Sequence, residues 1–346
     1  QLETAEYLKN NTDRTDGTLF YSASCKRGQI LDSFNENLFG KLLCKVTRND
    51  LRVRGYVTKL RIKMIRIKST KNSTESKRDA SKTGLDLDKA QNEAVGIIVA
   101  YKDLSKTNKD PNMITFGDHV EGCRYISENE DVLRSLPNVK QHFMAAETSN
   151  SDREVIMETM KKSGGNILNQ HSVAKEGINL PTLNGGVIGR EMSIIPLQQS
   201  IGRSDRSLLE DTIAFQKGEI TLDNPKGWKK YDNTIYILVD DDDTTFSNRV
   251  EDIVGYLLDQ GIPESEWDIS EVQDDENSGV DYDKSDFYPG IKTSFKFDKV
   301  KFDKMIQDAK IKIIKEEEEL KLSIEESIEA NRRNSMEKID LLKEFL

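Results

Sequence analysis

The run Met113-Ile-Thr-Phe116, closed by Gly117-Asp118, decides the fold of this 346-residue chain. A short apolar run that ends at a glycine is typical of a buried strand. Apolar residues with helical spacing precede it, from 87 to 101, and strands alternate with helices after it. Further strands are predicted at 60–67, 139–144, 166–169, 186–189 and 234–239, and further helices at 120–133, 151–161, 194–201 and 248–258. This alternation predicts an open, mostly parallel α/β sheet, which binds ligands at the carboxyl ends of its strands.

The segments outside these repeats have different patterns. Leu60 to Ile67 alternates basic and apolar residues with one slip at Met64-Ile65, which is the pattern of a half-buried strand with a β-bulge. Ser69 to Thr83 is rich in polar residues and is predicted to be a mobile loop. The tail from Val300 to Leu346 is one long, charged helical pattern, which favours a docked or partner-binding helix over a coiled coil.

Composition excludes several classes of protein. No stretch approaches the roughly 18 to 20 continuous apolar residues of a membrane span, and the polar start has no apolar core of a secretory signal. The three cysteines, Cys25, Cys44 and Cys123, are odd in number and widely spaced, so they predict neither a disulfide framework nor a thiolate zinc site. We therefore expect no membrane association, no metal site, and an intracellular, cytoplasmic protein.

Charge is distributed unevenly along the chain. The formal net charge is -10, yet the segment 45–82 holds thirteen basic residues against three acidic ones. A basic block inside an acidic protein is a candidate surface for contacting phosphates. A solvated, lysine-rich pair of strands would have the same composition, so both interpretations stay open.

The most informative segment for function is Gln199-Ser-Ile-Gly-Arg-Ser-Asp-Arg206. Its two arginines are three residues apart and therefore share one helical face, after a glycine that allows close approach of the backbone. Two guanidiniums so placed can clamp a polyphosphate with bidentate, permanently charged contacts. A surface arginine pair in a solvated ion-pair face is the alternative.

This segment, taken with Asn169 to Pro181 upstream, resembles motifs V and VI of the superfamily 2 helicases. Motif VI of that family reads Gln-x-x-Gly-Arg-x-x-Arg, which is matched here at Gln199, Gly202, Arg203 and Arg206. The resemblance implies two RecA-like domains that hydrolyse ATP to move on nucleic acid. The expected fold is a RecA-like parallel sheet with flanking helices, preceded by the end of a first RecA-like domain and followed by a charged helical tail.

Other segments follow the order of this family. Ser22-Ala-Ser24 resembles motif III, although Cys25 stands where the family often has proline, and Met113 to His119 resembles motif IV. Ala145 to Arg153 resembles the turn that follows, and the resemblance runs from about Thr18 to Leu258. Phe39-Gly-Lys and Arg54-Gly-Tyr56 look most like the phage UvsW-type recombination and repair helicases, which implies the cytoplasm of a phage-infected bacterium.

The resemblance implies a role for each matched residue. Arg206 would be the arginine finger on the γ-phosphate, Arg203 a second phosphate or interdomain contact, and Gln199 a group that positions nucleotide or water. The residues implied to line the ATP cleft are Gly177, Asn179 and Gly202, and many relatives carry Asp at the position of Asn179. The residues implied to couple hydrolysis to movement are Ser22 and Ser24. The predicted nucleic-acid contacts are Ser172, Thr148, Ser149, Arg61, Lys63 and His119, the last with equal odds of being only a helix-start residue.

Two motifs of a complete motor are missing from the sequence. No Gly-x-x-x-x-Gly-Lys-Ser/Thr phosphate loop occurs, and no Asp-Glu box precedes Ser22. We expect a remnant of a first RecA-like domain at 1–58, a second RecA-like domain at 59–262 and a linker with a helical extension at 263–346. ATP and Mg²⁺ would be bound mainly by a first domain on a missing segment or another chain.

The expected function is an ATP-dependent DNA helicase or branch-migration motor that acts on branched or single-stranded DNA together with that first domain. An RNA helicase, or a non-catalytic nucleic-acid-binding subunit derived from a helicase, is the alternative.

Overall fold

The structure is a computed structural model, and it describes residues 46–69, 85–171, 180–189, 194–240, 243–272, 291–292 and 298–344. The chain divides into two compact units. One is Thr47–Met305, and the other combines Gln1–Val46 with Ile306–Leu346. The domain boundaries expected after residues 58 and 262 stay a prediction, and the loop predicted at 69–83 lies outside the described residues apart from Ser69.

The described elements follow in chain order. They are α1 (Arg48–Arg52), β1 (Lys59–Ser69), α2 (Leu87–Ser105), β2 (Asn112–Phe116), α3 (Val120–Glu128), α4 (Glu130–Ser135), β3 (Lys140–Met144), α5 (Asn150–Lys162), β4 (Asn166–Gln170), β5 (Leu183–Ile188), α6 (Ile194–Ser204), α7 (Leu209–Gln216), β6 (Asp232–Asp240), α8 (Asp243–Asp259), β7 (Ile269–Glu271), β8 (Ile291–Lys292) and α9 (Lys299–Glu344).

The strands form one sheet in the order β3-β4-β2-β5-β6-β1-β7, and these seven strands are all parallel. The short β8 pairs antiparallel with the end of β1. Described helices lie in the connections between successive parallel strands except the one from β4 to β5, where residues 172–179 lie outside the described part of the chain. The arrangement is α/β and RecA-like and is followed by a long C-terminal helix, so the predicted fold class is confirmed.

Strand β1 corrects one prediction from the sequence. Its residues from Lys59 to Ile67 pair one to one with Asp232 to Asp240 of β6, so the bulge predicted at Met64-Ile65 is wrong. Met64 and Ile65 are both fully buried, although neighbouring strand residues point to opposite faces. The slip in the pattern therefore arises because β1 is covered on both faces at this point.

The helix predicted at 120–133 is also corrected, because it is two helices. Asn129 has extended backbone angles and separates α3 from α4. Its side chain accepts hydrogen bonds from the backbone N–H groups of Asp131 and Val132 at 2.9 and 3.2 Å. An asparagine that caps a helix in this way starts a new helix with its own axis.

Helix α2 supplies much of the core of the unit Thr47–Met305. Ala94, Ile97 and Tyr101 have the spacing of one helical face and join Ile65 of β1 and Tyr236 of β6 in one buried cluster. The helix thus lies against the middle of the sheet, as its apolar spacing predicts. This packing leaves both ends of the strands available to position other groups.

Candidate functional site

The segment Gln199–Arg206, here called the arginine segment, ends at the amino-terminal edge of the parallel sheet. Gln199 to Ser204 belong to helix α6, and Asp205 and Arg206 then lie beside the chain that enters β1. Val57 and Arg206 form an antiparallel bridge, and the N–H of Thr58 donates to the carbonyl oxygen of Asp205 at 2.8 Å. Because Val57 and Thr58 come just before β1, Arg206 is at the amino end of that strand.

A buried ion pair fixes the end of the arginine segment. The Nε of Arg48, in α1, is 2.9 Å from Oδ2 of Asp205, and the two side chains are 7% and 5% exposed. The Nη2 of Arg48 also donates to the carbonyl oxygen of Thr58 at 2.5 Å. Arg48 therefore joins Asp205 to the strand entry with which the arginine segment pairs.

A buried lysine lies under the same segment. The Nζ of Lys230 donates to the carbonyl oxygens of Ser204, Arg206 and Pro181 at 2.7, 2.8 and 2.9 Å. Burial lowers the pKa of Lys230 to about 7, against the attraction of Asp205, Asp211 and Asp232, which raises it. Lys230 was not predicted from the sequence, because the Lys-Lys pair at 229–230 holds no signal that separates a buried lysine from an exposed one.

The backbone that carries Lys230 is fixed by α7. The carboxylate of Asp211 accepts the backbone N–H groups of Lys229 and Lys230 at 2.9 and 2.8 Å, and Asp211 is buried. On the same helix, the Oγ1 of Thr212 donates to the carbonyl oxygen of Gly55 at 3.0 Å. Helix α7, which was not predicted from the sequence, therefore supports both Lys230 and the chain before β1.

Arg203 lies in the last turn of α6, whereas Arg206 lies beyond the end of that helix, so the prediction that the two arginines share one helical face is wrong. Both side chains are partly exposed. Burial, and then the positive charge of Arg206, lower the pKa of Arg203. Gln199 is one turn before Arg203 on the same helical face, and a Cβ at Gly202 would meet no atom within 4 Å, so the helix surface there is open. Two neighbouring guanidiniums on an accessible surface can take an anion with several negative oxygens.

The predicted nucleic-acid contacts at Thr148 and Ser149 lie at the opposite, carboxyl-terminal edge. The Oγ1 of Thr148 accepts the N–H of Ala145 at 2.9 Å, and the hydroxyl of Ser149 caps α5 by accepting the N–H of Asp152 at 3.2 Å. Arg153 donates to the carbonyl oxygen of Ala145 at 3.0 Å. The turn after β3 is therefore held in one shape, with the N-terminus of α5 beside it.

A charged cluster follows β2 at the same edge. The carboxylate of Asp118 is 3.0 Å from Nζ of Lys89 and 3.2 Å from Nε2 of His119. The hydrogen bond that Lys89 donates to Asp118 raises the pKa of Lys89. The backbone N–H of Asp118 donates to the buried Glu93 at 2.9 Å. His119 thus contacts an acidic neighbour in the structure, and its role as a phosphate contact stays a prediction.

The basic side chains predicted on β1 are paired within the molecule. Arg61 is 2.9 Å from Asp232 and 3.3 Å from Asp268, and Lys63 is 2.7 Å from Asp103. Arg61 and Lys63 are 32% and 28% exposed at their side chains. Acidic residues on neighbouring elements therefore balance this part of the basic block, and nucleic-acid contact by these two residues stays a prediction.

Five of the predicted site residues lie outside the described part of the chain. These are Ser22, Ser24, Ser172, Gly177 and Asn179. The residues on either side of 172–179 are described. His171, whose Nδ1 is 3.0 Å from the carbonyl oxygen of Gly117, follows β4 at the carboxyl edge, and the buried Leu180 precedes β5 at the amino edge.

The described residues contain neither a cluster of metal ligands nor a membrane-spanning helix. They contain no group of three or more histidine, cysteine, aspartate or glutamate side chains arranged to hold a metal ion. Across the same ranges, no helix has the length and apolar character that crossing a membrane requires.

Comparison with solved structures adds relatives of similar fold. The chain is similar to the ATP-dependent Type ISP restriction-modification enzyme LlaBIII bound to DNA, with 13% identity over 71% of this chain and 18% of that one, at a TM-score of 0.47. A fragment of a putative HsdR subunit of a type I restriction enzyme from Vibrio vulnificus YJ016 has 17% identity over 72% of this chain and 43% of that one, at a TM-score of 0.46. T4 UvsW has 17% identity over 68% of this chain and 44% of its own, at a TM-score of 0.36.

The similarity to these solved structures is one of fold. T4 UvsW, whose type of helicase the sequence resemblance points to, is among the matches. The chain spans less than half the length of each of these three solved structures. No protein-family model and no curated protein matches its sequence. Because the identities are low and each TM-score is below 0.5, the residues and topology of this chain carry the proposal below.

Proposed function

We propose that this chain supplies the second RecA-like domain of an ATP-driven DNA helicase or branch-migration motor, with Arg206 as the arginine finger. The observation that carries this proposal is that the two motif arginines lie on a stretch of backbone whose end is fixed by the buried ion pair between Arg48 and Asp205. Buried contacts to Asp205 and to the carbonyl oxygens of Ser204 and Arg206 hold the backbone that carries them.

ATP would meet this chain at the amino edge of the sheet. When bound, it supplies the phosphoryl group whose transfer to water releases free energy. Arg206 would neutralise charge that develops on the γ-phosphate, and Arg203 would hold a second phosphate oxygen. Gln199, on the same face of α6, would orient nucleotide or water. Mg²⁺ and the remaining phosphate contacts would belong to a domain that carries a phosphate loop, with Gly177 and Asn179 of this chain near the nucleotide.

DNA would lie along the carboxyl edge. Small hydroxyl side chains and a helix N-terminus contact the sugar-phosphate backbone without reading base sequence. Thr148, Ser149 and the start of α5 lie at this edge, as does His119, and Ser172 is predicted to add a further hydroxyl group. Cleft closure around ATP and reopening after hydrolysis would move this edge relative to the other domain.

The deciding experiment is DNA-stimulated ATP hydrolysis by the full chain mixed with a domain that carries a phosphate loop. Arg206→Ala should lower kcat by roughly 10³-fold or more, because a finger acts on charge that develops during phosphoryl transfer. Its DNA affinity without ATP should change less than about twofold, since Arg206 lies at the other edge. The matched control is Arg134→Ala, an exposed arginine of α4 paired with Glu130.

The outcomes separate the alternatives. Unchanged turnover in Arg206→Ala would refute the finger assignment. Stimulation by RNA duplexes and not by DNA would favour an RNA helicase. No hydrolysis in the mixture, with salt-sensitive DNA binding retained, would favour a non-catalytic binding subunit.

A further inference from the structure

Lys230 joins two stretches of chain that are far apart in sequence. Its ammonium contacts the carbonyl oxygens of Ser204 and Arg206 at one end of the arginine segment, and that of Pro181 before β5. The carbonyl of Ser204 belongs to the last turn of α6, where carbonyl groups have no partner within the helix. A lysine ammonium satisfies such carbonyls and interacts favourably with the negative end of the helix dipole.

The number of donors on Lys230 equals the number of acceptors around it. A protonated lysine has three N–H groups and no acceptor, and the three carbonyl oxygens lie between 2.7 and 2.9 Å from Nζ. Lys230 is 4% exposed, so water does not replace these contacts. The side chain therefore acts as a fixed link and not as a surface charge.

Charged groups face Lys230 from each neighbouring element. Asp205 follows α6, Asp211 lies on α7 and Asp232 begins β6, and all three raise its pKa. Arg48 of α1 forms the ion pair with Asp205. Burial outweighs the three carboxylates and brings the pKa to about 7, so both protonation states are populated near neutral pH.

We propose that Lys230 is a positioning residue for the arginine segment, which holds the backbone of Ser204 and Arg206 against Pro181. This inference rests on the proposed function, because the segment it positions carries the finger. The same link ties the arginines to the chain that follows residues 172–179, where Gly177 and Asn179 are predicted to meet the nucleotide.

Hydrogen exchange on the full chain alone tests the link without any hydrolysis. Opening of the segment would expose Lys230 to water, where its pKa returns toward 10.5. The open form therefore binds a proton that the closed form releases above pH 7, and raising the pH favours the closed form. The protection factors of residues 204–207, corrected for intrinsic rates, should rise about tenfold between pH 6 and 8 in the wild type.

Two variants sharpen this measurement. Lys230→Met should lower the hydrogen-exchange protection factors of residues 204–207, and these factors should no longer depend on pH. Lys229→Met is the matched control, because Lys229 is its exposed neighbour and pairs with Glu210 on the surface. This control should keep the wild-type profile. A flat wild-type profile, or a Lys229→Met profile that is equally flat, would overturn the proposal even if Lys230→Met failed to fold.

The assembled motor gives an independent result. Lys230→Met should lower kcat more than it changes KM for ATP. An unchanged kcat would contradict positioning by Lys230. A wild-type motor without turnover would refute the proposed function, and the exchange profile would still decide whether Lys230 holds the segment.

Discussion

Asp205→Asn tests whether the buried ion pair holds the end of the arginine segment. The substitution keeps the shape of the side chain and removes its charge, which leaves Arg48 buried without its counter-charge 2.9 Å away. Removing one member of a buried pair costs roughly 3 to 5 kcal/mol. Because Arg48 keeps its hydrogen bond to Thr58 and the asparagine keeps an acceptor oxygen, we expect the lower end, about 3 kcal/mol of the free energy of unfolding.

Urea unfolding followed by tryptophan fluorescence measures this loss. The chain has two tryptophans, Trp228 and Trp267, and both belong to the unit Thr47–Met305, so the signal reports on the unit that contains the pair. The midpoint should fall while the slope with urea stays constant. Glu210→Gln is the control, because its ion pair with Lys229 is exposed and should contribute less than about 1 kcal/mol.

A double-mutant cycle with Arg48→Met isolates the pair from other effects. The double variant should be more stable than the sum of the two single losses predicts, with a coupling energy of about 2 kcal/mol or more. A coupling energy below about 0.5 kcal/mol, or a loss below about 1 kcal/mol in Asp205→Asn, would refute the reasoning, since both values are those of exposed pairs.

Three further predictions use the same chain. Gly55→Ala should lower the free energy of unfolding by about 2 kcal/mol or more, because Gly55 has φ +77° and a Cβ there would lie 2.5 Å from Phe215. The control Gly202→Ala should not lower this free energy, because a Cβ at Gly202 meets no atom within 4 Å, and urea unfolding measures both variants. The stability of the wild type relative to Lys230→Met should rise by roughly 2 kcal/mol between pH 7 and 9, because the unfolded lysine stays protonated when the folded one does not; equal urea midpoint differences at both pH values would contradict this. DNA affinity, measured by fluorescence titration, should fall at least about tenfold between 50 and 200 mM salt if the carboxyl edge of the sheet contacts several phosphates. An affinity that does not change with salt would exclude such contacts.

The parallel sheet was predictable because its buried strands are short apolar runs that can be recognised in the sequence. Met113 to Phe116 and the strand near 234–239 are short apolar runs, and both are strands in the structure. Prediction from local sequence failed where contacts between distant residues determine the structure. Helix α7 exposes Leu209, at 72%, so it shows no buried apolar stripe and was missed. Its attachment comes from Asp211 and Thr212, whose partners are distant in the sequence.

The candidate site also has a part that could be predicted from the sequence and a part that could not. The motif from Gln199 to Arg206 is contiguous, and it could be found from residue types and spacing alone. The groups that hold it could not be found, because Arg48 is 157 residues from Asp205 along the chain and Lys230 looks like any other lysine before a strand. Which charged residues become buried depends on the fold, and no local pattern in this sequence marks them.

The placement of the two predicted binding regions at opposite edges of one sheet sets the geometry of any coupled movement. Strand β2 has five residues, which at about 3.3 Å each places the edges roughly 17 Å apart, beyond the reach of a side chain. In the proposed motor, hydrolysis must then act on DNA through tilting of the whole sheet. A tilt of about 11° pivoting at the amino edge displaces the far edge by about 3.4 Å, which is the spacing of one nucleotide along a strand. The tilt angle and the distance between the two edges, and not any chain of contacting side chains, would set the length of each step.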